Sequence, residues 1–426
     1  MAKAKRNVNG EGTIVQRRDG RWQGAAYVLT SDGTYKRRFV YGSSWEDAHE
    51  KLTRLKADSL NGLPVAASKM TLGEYMTYWL THVAKVKVRK TTYVNYESWV
   101  RNYIAPGLGK KKLGRLSARD IRAFLLKTAQ TCQCCAQDKD KNRPKPKRRC
   151  CALGQCCQQF PSDRTVRILL ALLRTALQHA VREDEIPRNV AKNVELGMGT
   201  MREIEPLTVQ EGRQLLAAAR GNRLWAAYEL AVRTGLRRGE VLGLRWQDVD
   251  LDAGVLTVRQ TLQRVGGELF IGLPKTQRSA RRVALPAECL TALRARRAEQ
   301  QGDRRAAGDE WKDAGSDLVF TTKKGTPIEP RNLNRSFTAL CDRAKVRRVR
   351  FHDLRHTCAS LLHEQGADAR MIMEVLGHSS IRVTMDLYTF VRLDSQRSAF
   401  DRVGDALRDI NEGDDDDGAS GVPARV

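Results

Sequence analysis

Three short segments toward the C-terminal end decide how this chain is read: FHDLRHT at residues 351–357, LGHSS at 376–380 and TMDLYTF at 384–390. In order they supply His352, Arg355, His378 and Tyr388. Upstream, TGLRRGEVLGL at 234–244 adds Arg237 and, three residues on and so on the same helical face, Glu240. LPKTQRSARRVALP at 273–286 adds Lys275 in a Pro-Lys-Thr turn. Two arginines, two histidines and a lysine can hold a phosphate, and a phenol can attack one. Fixed cations neutralise charge that would otherwise call for Mg²⁺, so the inventory suits covalent phosphoryl transfer on DNA without a metal.

Each part alone is ordinary. An Arg-x-x-Glu pair on a helix is usually a surface contact worth a few tenths of a kcal/mol. A tyrosine in an apolar stretch usually packs, with its hydroxyl satisfied. Order and context make the difference. TGLRRGE, LPKTQRSARR, HDLRHTCAS, LGHSSI and DLYTF resemble, in the family's own order, the tyrosine recombinases of the phage integrase family. The resemblance is close from about residue 203 to 400 and looser toward the N-terminus.

That resemblance implies a role for each residue. Tyr388 would attack the scissile phosphate and form a 3′-phosphotyrosyl bond, releasing a 5′-hydroxyl. Arg237 and Arg355 would hold the nonbridging oxygens, where a planar bidentate donor fits better than lysine. His378 would donate a further hydrogen bond, Lys275 would protonate the departing 5′ oxygen, and His352 would assist proton transfer at Tyr388. A phenol with a pKa near ~10 needs that help at neutral pH. Glu240 would orient its neighbours. No cofactor is implied for catalysis. The partners implied are double-stranded DNA attachment sites, a homotetramer on two duplexes, and accessory excision or DNA-bending factors. The expected function is a site-specific integrase of a mobile element; the alternative is type IB topoisomerase-like nicking and resealing. A DNA-binding regulator without catalysis would have no use for Tyr388.

Composition agrees with a polyanionic partner. Lys and Arg number 75 against 49 Asp and Glu, a formal net charge of +26. No run approaches the roughly 20 apolar residues that cross a bilayer, and MAKAKRNVNGEG has no apolar stretch behind its basic residues. The expected location is the cytoplasm, at the host nucleoid, where thiols stay reduced.

The expected fold is multidomain α+β. Residues 1–64 read as a three-stranded sheet plus helix, with Asp19-Gly20 and Asp32-Gly33 as hairpin turns and Ser43/Glu46 as a capping box. Arg17, Arg18, Arg21, Lys36, Arg37 and Arg38 on these strands are candidate DNA contacts, and the module resembles the family's arm-type DNA-binding domain. Residues 68–198 read as a helical core-binding domain. Thr71/Glu74, Ser117 and Ser162 open helices there, Pro106-Gly107 ends one, and Lys110, Lys111 and Lys112 are further DNA candidates. Residues 203–403 form the catalytic domain, mostly helical with one small antiparallel sheet built from 255–262, 268–272 and 281–285. Residues 404–426 read as an acidic disordered tail. His356, Cys358 and His363 read as structural. Tyr93, Tyr96 and Tyr103 lack a matching cationic set.

One stretch departs from the family pattern. Residues 131–161 insert Cys132, Cys134, Cys135, Cys150, Cys151, Cys156 and Cys157 around the polar, basic loop DKDKNRPKPKRR. Such a loop builds no hydrophobic core. Clustered thiolates make one structural, tetrahedral Zn²⁺ a candidate, although Cys-x-Cys-Cys and Cys-Cys-x4-Cys-Cys differ from the common Cys-x2-Cys knuckle.

Overall fold

The structure is a computed structural model that describes residues 12–29, 35–60, 70–197, 204–274, 280–313, 315–378 and 380–385, with a few positions between 397 and 407. It combines α and β structure in two compact units, Met1–Met201 and Arg202–Val426.

The first unit opens with strands Thr13–Gln16, Trp22–Leu29 and Tyr35–Gly42 in sequential antiparallel order. Gly20, at φ 78°, makes the first turn, where a residue without a Cβ meets no steric penalty. The second expected hairpin turn, Asp32-Gly33, lies outside the described residues. Gly24, Ala26 and Val28 alternate toward the helix Trp45–Leu60, against Ala48 and Leu52, which are buried. The cap of that helix falls one residue later than expected. Ser44 Oγ accepts from the Asp47 amide at 3.1 Å, and Asp47 accepts from the Ser43 amide at 3.0 Å. Ser44/Asp47, and not Ser43/Glu46, satisfies the first-turn amides.

The helical part of this unit follows its caps. Thr71 and Glu74 form a capping box before Leu72–Tyr78, Ser117 and Asp120 another before Ala118–Gln130, and Ser162 caps Asp163–Arg182. Leu72, Met76, Ile121, Leu125, Leu169 and Leu173 form its core, and Tyr75 Oη donates to the Ala176 carbonyl at 3.0 Å. Each such fully buried aliphatic side chain contributes on the order of 1.5–3 kcal/mol. Pro106-Gly107 does not end the second helix. A π-helical segment, Val100–Ile104, interrupts Lys90–Trp99, and the chain resumes as Ala105–Leu108 with Pro106 in its first turn.

In the second unit, Val209–Ala219, Trp225–Thr234, Ala287–Ala307, Pro330–Arg343 and Leu354–Glu364 surround one core. Thr208 and Glu211 box the first of these helices. The expected single sheet is two. Among the described residues, Val255–Val258 pairs with Arg281–Ala284 and Val249–Asp250, whereas Thr261–Val265 pairs only with Glu268–Gly272. The run 255–262 breaks at Arg259-Gln260, where Gln260 turns to donate to the Gly243 carbonyl at 2.9 Å. Arg259 meets Asp248 at 3.2 Å. The long helix Ala287–Ala307 escapes a reading by hydrophobic period, because its inward face includes Arg296 and Gln300, both buried and bonded to the 318–321 backbone.

Candidate active site

The site is built around the end of one short helix. Ala369–Leu376 stops at Gly377, which is left-handed at φ 65°, and the His378 amide turns back to the Met373 carbonyl at 3.0 Å. A helix C-terminus exposes unpaired carbonyls and the negative end of its dipole. Three guanidinium groups take them. Arg281 Nε donates to Val375 O at 2.6 Å, Arg355 Nη2 to Leu376 O, and Arg237 Nη2 to Gly377 O at 3.2 Å. Arg355 Nη1 also donates to Gly235 O at 2.9 Å. Gly235 sits in the left-handed region at φ 63°, where a side chain is strained, and a Cβ there would also press on Leu376 Cδ2 at 2.3 Å.

Glu240 binds the cations together from beneath. Its carboxylate, 2% exposed, accepts from Arg237 Nη1 at 2.7 Å and from Arg281 Nη2 at 3.1 Å. Burial pushes its pKa up, but Arg281 and then Arg237 outweigh burial and hold it below the usual carboxylate range. Arg355 is almost fully enclosed; burial first, and Arg237 next, hold it below an ordinary guanidinium, although it stays charged at neutral pH.

The sequence-predicted Arg237, Glu240, Arg355 and His378 are thus brought together, and Arg281 joins them. In the sequence Arg281 belongs to the strand segment 281–285. A signal was present: it follows Lys275 by six positions in a segment already singled out, but nothing local ties it to Glu240.

His378 is 6% exposed, with Nδ1 at 2.9 Å from Thr384 Oγ1, and Thr384 is itself fully buried. Burial first, then Arg355 and Arg237, push its pKa down to about 3, so the ring is neutral. In the tautomer where the Thr384 hydroxyl donates to Nδ1, the ring proton sits on Nε2 and makes a neutral hydrogen-bond donor. Thr384 also went unread in the sequence. His352 is exposed in the wall of a cavity of 1080 Å³ that is also lined by Arg237, Arg238, Arg264, Arg331 and Arg350. Partial burial, then His356 and Arg355, lower its pKa. His356 packs edge-on to it at 5.9 Å between centroids. Cys358 is buried in the core with its thiol near the Arg233 carbonyl, and burial raises its pKa to about 12. Lys275 and Tyr388 lie outside the described residues.

The lowered histidines have a consequence for stability. Between pH 6.5 and about 3, His378 binds a proton when unfolded but not when folded. Stability from this group is therefore present above pH 6.5 and is lost as pH falls through that window. The melting temperature of the protein is expected to fall between pH 7.5 and pH 5, and to fall less in His378→Gln. An identical acid loss in the variant would show that His378 is not held neutral by the fold.

The other candidate residues lie apart from this site. Arg17, Arg18, Arg21, Lys36, Arg37 and Arg38 are all exposed, but they do not share one face. Tyr35, Arg37, Phe39 and Tyr41 alternate on the open side of the sheet, with Tyr27 opposite Arg37. Arg37 stacks on Phe39 and Arg17 on Tyr41. Lys36 and Arg38 alternate to the helix side. Lys110, Lys111 and Lys112 are exposed between two helices, with Lys111 paired to Asp120.

Among the described residues, no helix is long and apolar enough to cross a membrane. Residues 205–393 match the phage integrase family, and residues 71–128 match the phage integrase N-terminal SAM-like domain. A tyrosine recombinase XerC-like protein of Caldanaerobacter subterraneus subsp. tengcongensis is 29% identical over 391 residues, covering 88% of this chain and 93% of its own. An integrase of Streptomyces ambofaciens is 28% identical over 401 residues, covering 90% and 93%. The fold is similar to that of the Tn1549 transposon integrase, solved with transposon right end DNA, at TM-score 0.60 and 20% identity over 79% of this chain and all of that one. It is also similar to lambda integrase residues 75–356, solved as a dimer on a core site, at TM-score 0.51 and 19% identity over 75% and 95%. A carboxylate-braced cluster of arginines closing on a helix end thus sits inside a fold and a sequence that agree on one lineage, and the chain belongs to the phage integrase family of tyrosine recombinases, enzymes that break and rejoin DNA.

Proposed function

We propose that this protein is a site-specific integrase of a mobile element that cuts and rejoins attachment-site DNA through Tyr388. The observation that carries the reading is the convergence of Arg237, Arg355 and neutral His378 at the C-terminus of one helix, braced by Glu240 and Arg281. A nonbridging phosphate oxygen entering that cluster meets bidentate donors already held in place, so little reorganisation opposes the transition state. Arg237 and Arg355 hold the phosphate, and His378 Nε2 adds a donor. Lys275 protonates the 5′ leaving oxygen while His352 takes the proton of the Tyr388 hydroxyl. The phosphate bond to Tyr388 forms as the bond to the 5′ oxygen breaks. Its energy is retained, and a 5′-hydroxyl from another strand reverses the step without ATP or Mg²⁺.

The DNA partner fits the basic surfaces of both units. Four protomers on two duplexes, accessory excision or bending factors, and work at the host nucleoid belong to this proposal. The domains follow it: 1–64 for arm sites, 68–198 for the core site, 203–403 for chemistry. The decisive assay incubates the protein with two attachment-site duplexes and resolves the products. Branched junctions and recombinants are expected; relaxation of supercoils alone would favour the topoisomerase-like alternative.

The N-terminal module carries a separate expectation. Its open face interleaves Arg37 and Arg17 with Tyr27, Phe39 and Tyr41, cations that add affinity and rings that add contact area. Deleting residues 1–64 should abolish integration and leave core-site cleavage largely intact. Binding by the module should drop steeply with salt, with about 0.9 in slope for each neutralised phosphate. Integration at the full-length rate by the truncated protein would remove the arm-binding role.

A further inference from the structure

The cysteine insertion has an inverted core. Cys132, Cys134 and Cys150 are buried, with Cys135, Cys151 and Cys157 packed against them, and the cluster contains no aliphatic or aromatic side chain. The larger apolar residues of the segment point outward: Leu153 is 57% exposed and Phe160 49%. A segment that buries cysteines and leaves its leucine and phenylalanine outside has no aliphatic or aromatic core of its own. All seven cysteines are free thiols. Cys135 and Cys150 sulfurs stand 3.3 Å apart and Cys132 and Cys157 3.8 Å, too far for a disulfide bond of about 2.05 Å. Four thiolates around zinc at about 2.3 Å place sulfurs roughly 3.8 Å from one another.

The sulfurs fall into two groups, and Cys150 belongs to both. Cys132, Cys135, Cys150 and Cys156 lie within 4.8 Å of one another, as do Cys134, Cys150 and Cys151. Cys157 joins the second group by touching Cys134 and Cys150, and its sulfur also stands 3.8 Å from Cys132 of the first. The first group does contain a Cys-x2-Cys pair, Cys132 and Cys135, at the two ends of a single helical turn; it is hidden inside Cys-x-Cys-Cys. The adjacent cysteines also become intelligible. Neighbours in a chain point apart, so Cys134-Cys135 and Cys156-Cys157 each send one sulfur to each group. Cys150, fully enclosed, stands between the two.

We propose that residues 131–161 bind two zinc ions in one cluster: Cys132, Cys135 and Cys156 hold the first, Cys134, Cys151 and Cys157 the second, and the Cys150 thiolate bridges them. On binding, seven thiols release seven protons, and two Zn²⁺ with seven thiolates leave a net charge of about −3. Lys139, Lys141, Arg143, Lys145, Arg148 and Arg149, carried by the intervening loop, offset that charge. Asp140 is a structural lock and not a ligand. It is fully buried and accepts from the amides of Arg149, Cys150 and Ala152 at 3.0, 2.8 and 3.3 Å and from Arg143 at 2.9 Å, so its oxygens are already engaged. The bound metal holds the basic loop in one shape, and on the integrase reading given above that loop grips the DNA backbone beside the core site.

Elemental analysis of the full-length protein, purified with a thiol reductant and cleared of loose metal by gel filtration, tests the cluster directly. About two zinc ions per chain are expected. Titration of the apoprotein with Co²⁺ should raise thiolate-to-cobalt absorption linearly to two equivalents, and to one in Cys132→Ser or Cys151→Ser, whereas Cys150→Ser should disrupt both sites. One zinc per chain, or none with seven titratable thiols, overturns the two-metal cluster whether or not any variant folds. The DNA role is read separately. Protein stripped of metal should bind a core-site duplex more weakly and with a shallower salt slope, yet still form the covalent complex at saturating DNA. Unchanged binding with two zinc ions present would refute the loop's DNA contact and leave the metal site standing.

Discussion

Tyr388→Phe protein is expected to bind its core-site duplex as well as the parent chain and to yield no covalent protein–DNA complex. The substitution removes one oxygen and leaves the cationic cluster and every basic surface in place, so affinity should hold. What disappears is the only group in the proposed set that can form a phosphodiester with the chain. Trapping on a nicked suicide duplex, followed by denaturing electrophoresis, reads the adduct directly. A parental yield from the Phe variant would move the nucleophile elsewhere and take the proposed order of steps with it. The same assay at saturating DNA in a chelating buffer should give full yield, because the cations at the phosphate are side chains; a loss at saturating DNA would reveal a metal requirement in the chemistry.

Arg355→Ala and Arg237→Ala should each slow cleavage by about 10²–10³-fold, the scale of removing one oxyanion donor. The two should differ in stability. Arg355 is 4% exposed and holds the carbonyls of Gly235 and Leu376, so its loss strands buried acceptors at roughly 1–3 kcal/mol. Arg237 is one-third exposed, and Arg281 still pairs with Glu240 when it is gone. Arg355→Lys separates chemistry from folding: it keeps the charge, but an ammonium lacks the planar fork that spans two carbonyls and a phosphate. Its single-turnover cleavage rate should stay depressed even where the melting temperature recovers. Equal losses in binding and cleavage across these variants would reduce both arginines to DNA anchors.

Legibility followed range. Thr71 with Glu74 and the caps Ser117 and Ser162 are legible in the sequence because a cap is a contact between residues three apart. Where two local solutions compete, short spacing does not choose between them. Ser43 and Ser44 both offer a hydroxyl, and Pro106 reads as a stop although the helix runs through a π-helical turn and past it. The helix Ala287–Ala307 was missed because its buried face uses Arg296 and Gln300, whose burial depends on carbonyls at 318–321 that the helix itself does not contain.

The sequence by itself determined the reactive inventory, its order along the chain, the basic character of both units and the density of cysteines between 132 and 157. Those are matters of residue type and short spacing. Only the tertiary structure decided what holds the inventory in place. Arg281 reaches Glu240 across 41 positions and Val375 across 94, Arg355 reaches Gly235 across 120, and Arg237 reaches Gly377 across 140. Three of these contacts join a guanidinium to a backbone carbonyl at a helix end, and the fourth joins Arg281 to the buried Glu240 carboxylate. No period in the sequence encodes that, because the carbonyls at a helix terminus are common to every residue type and the packing alone selects which cation meets them.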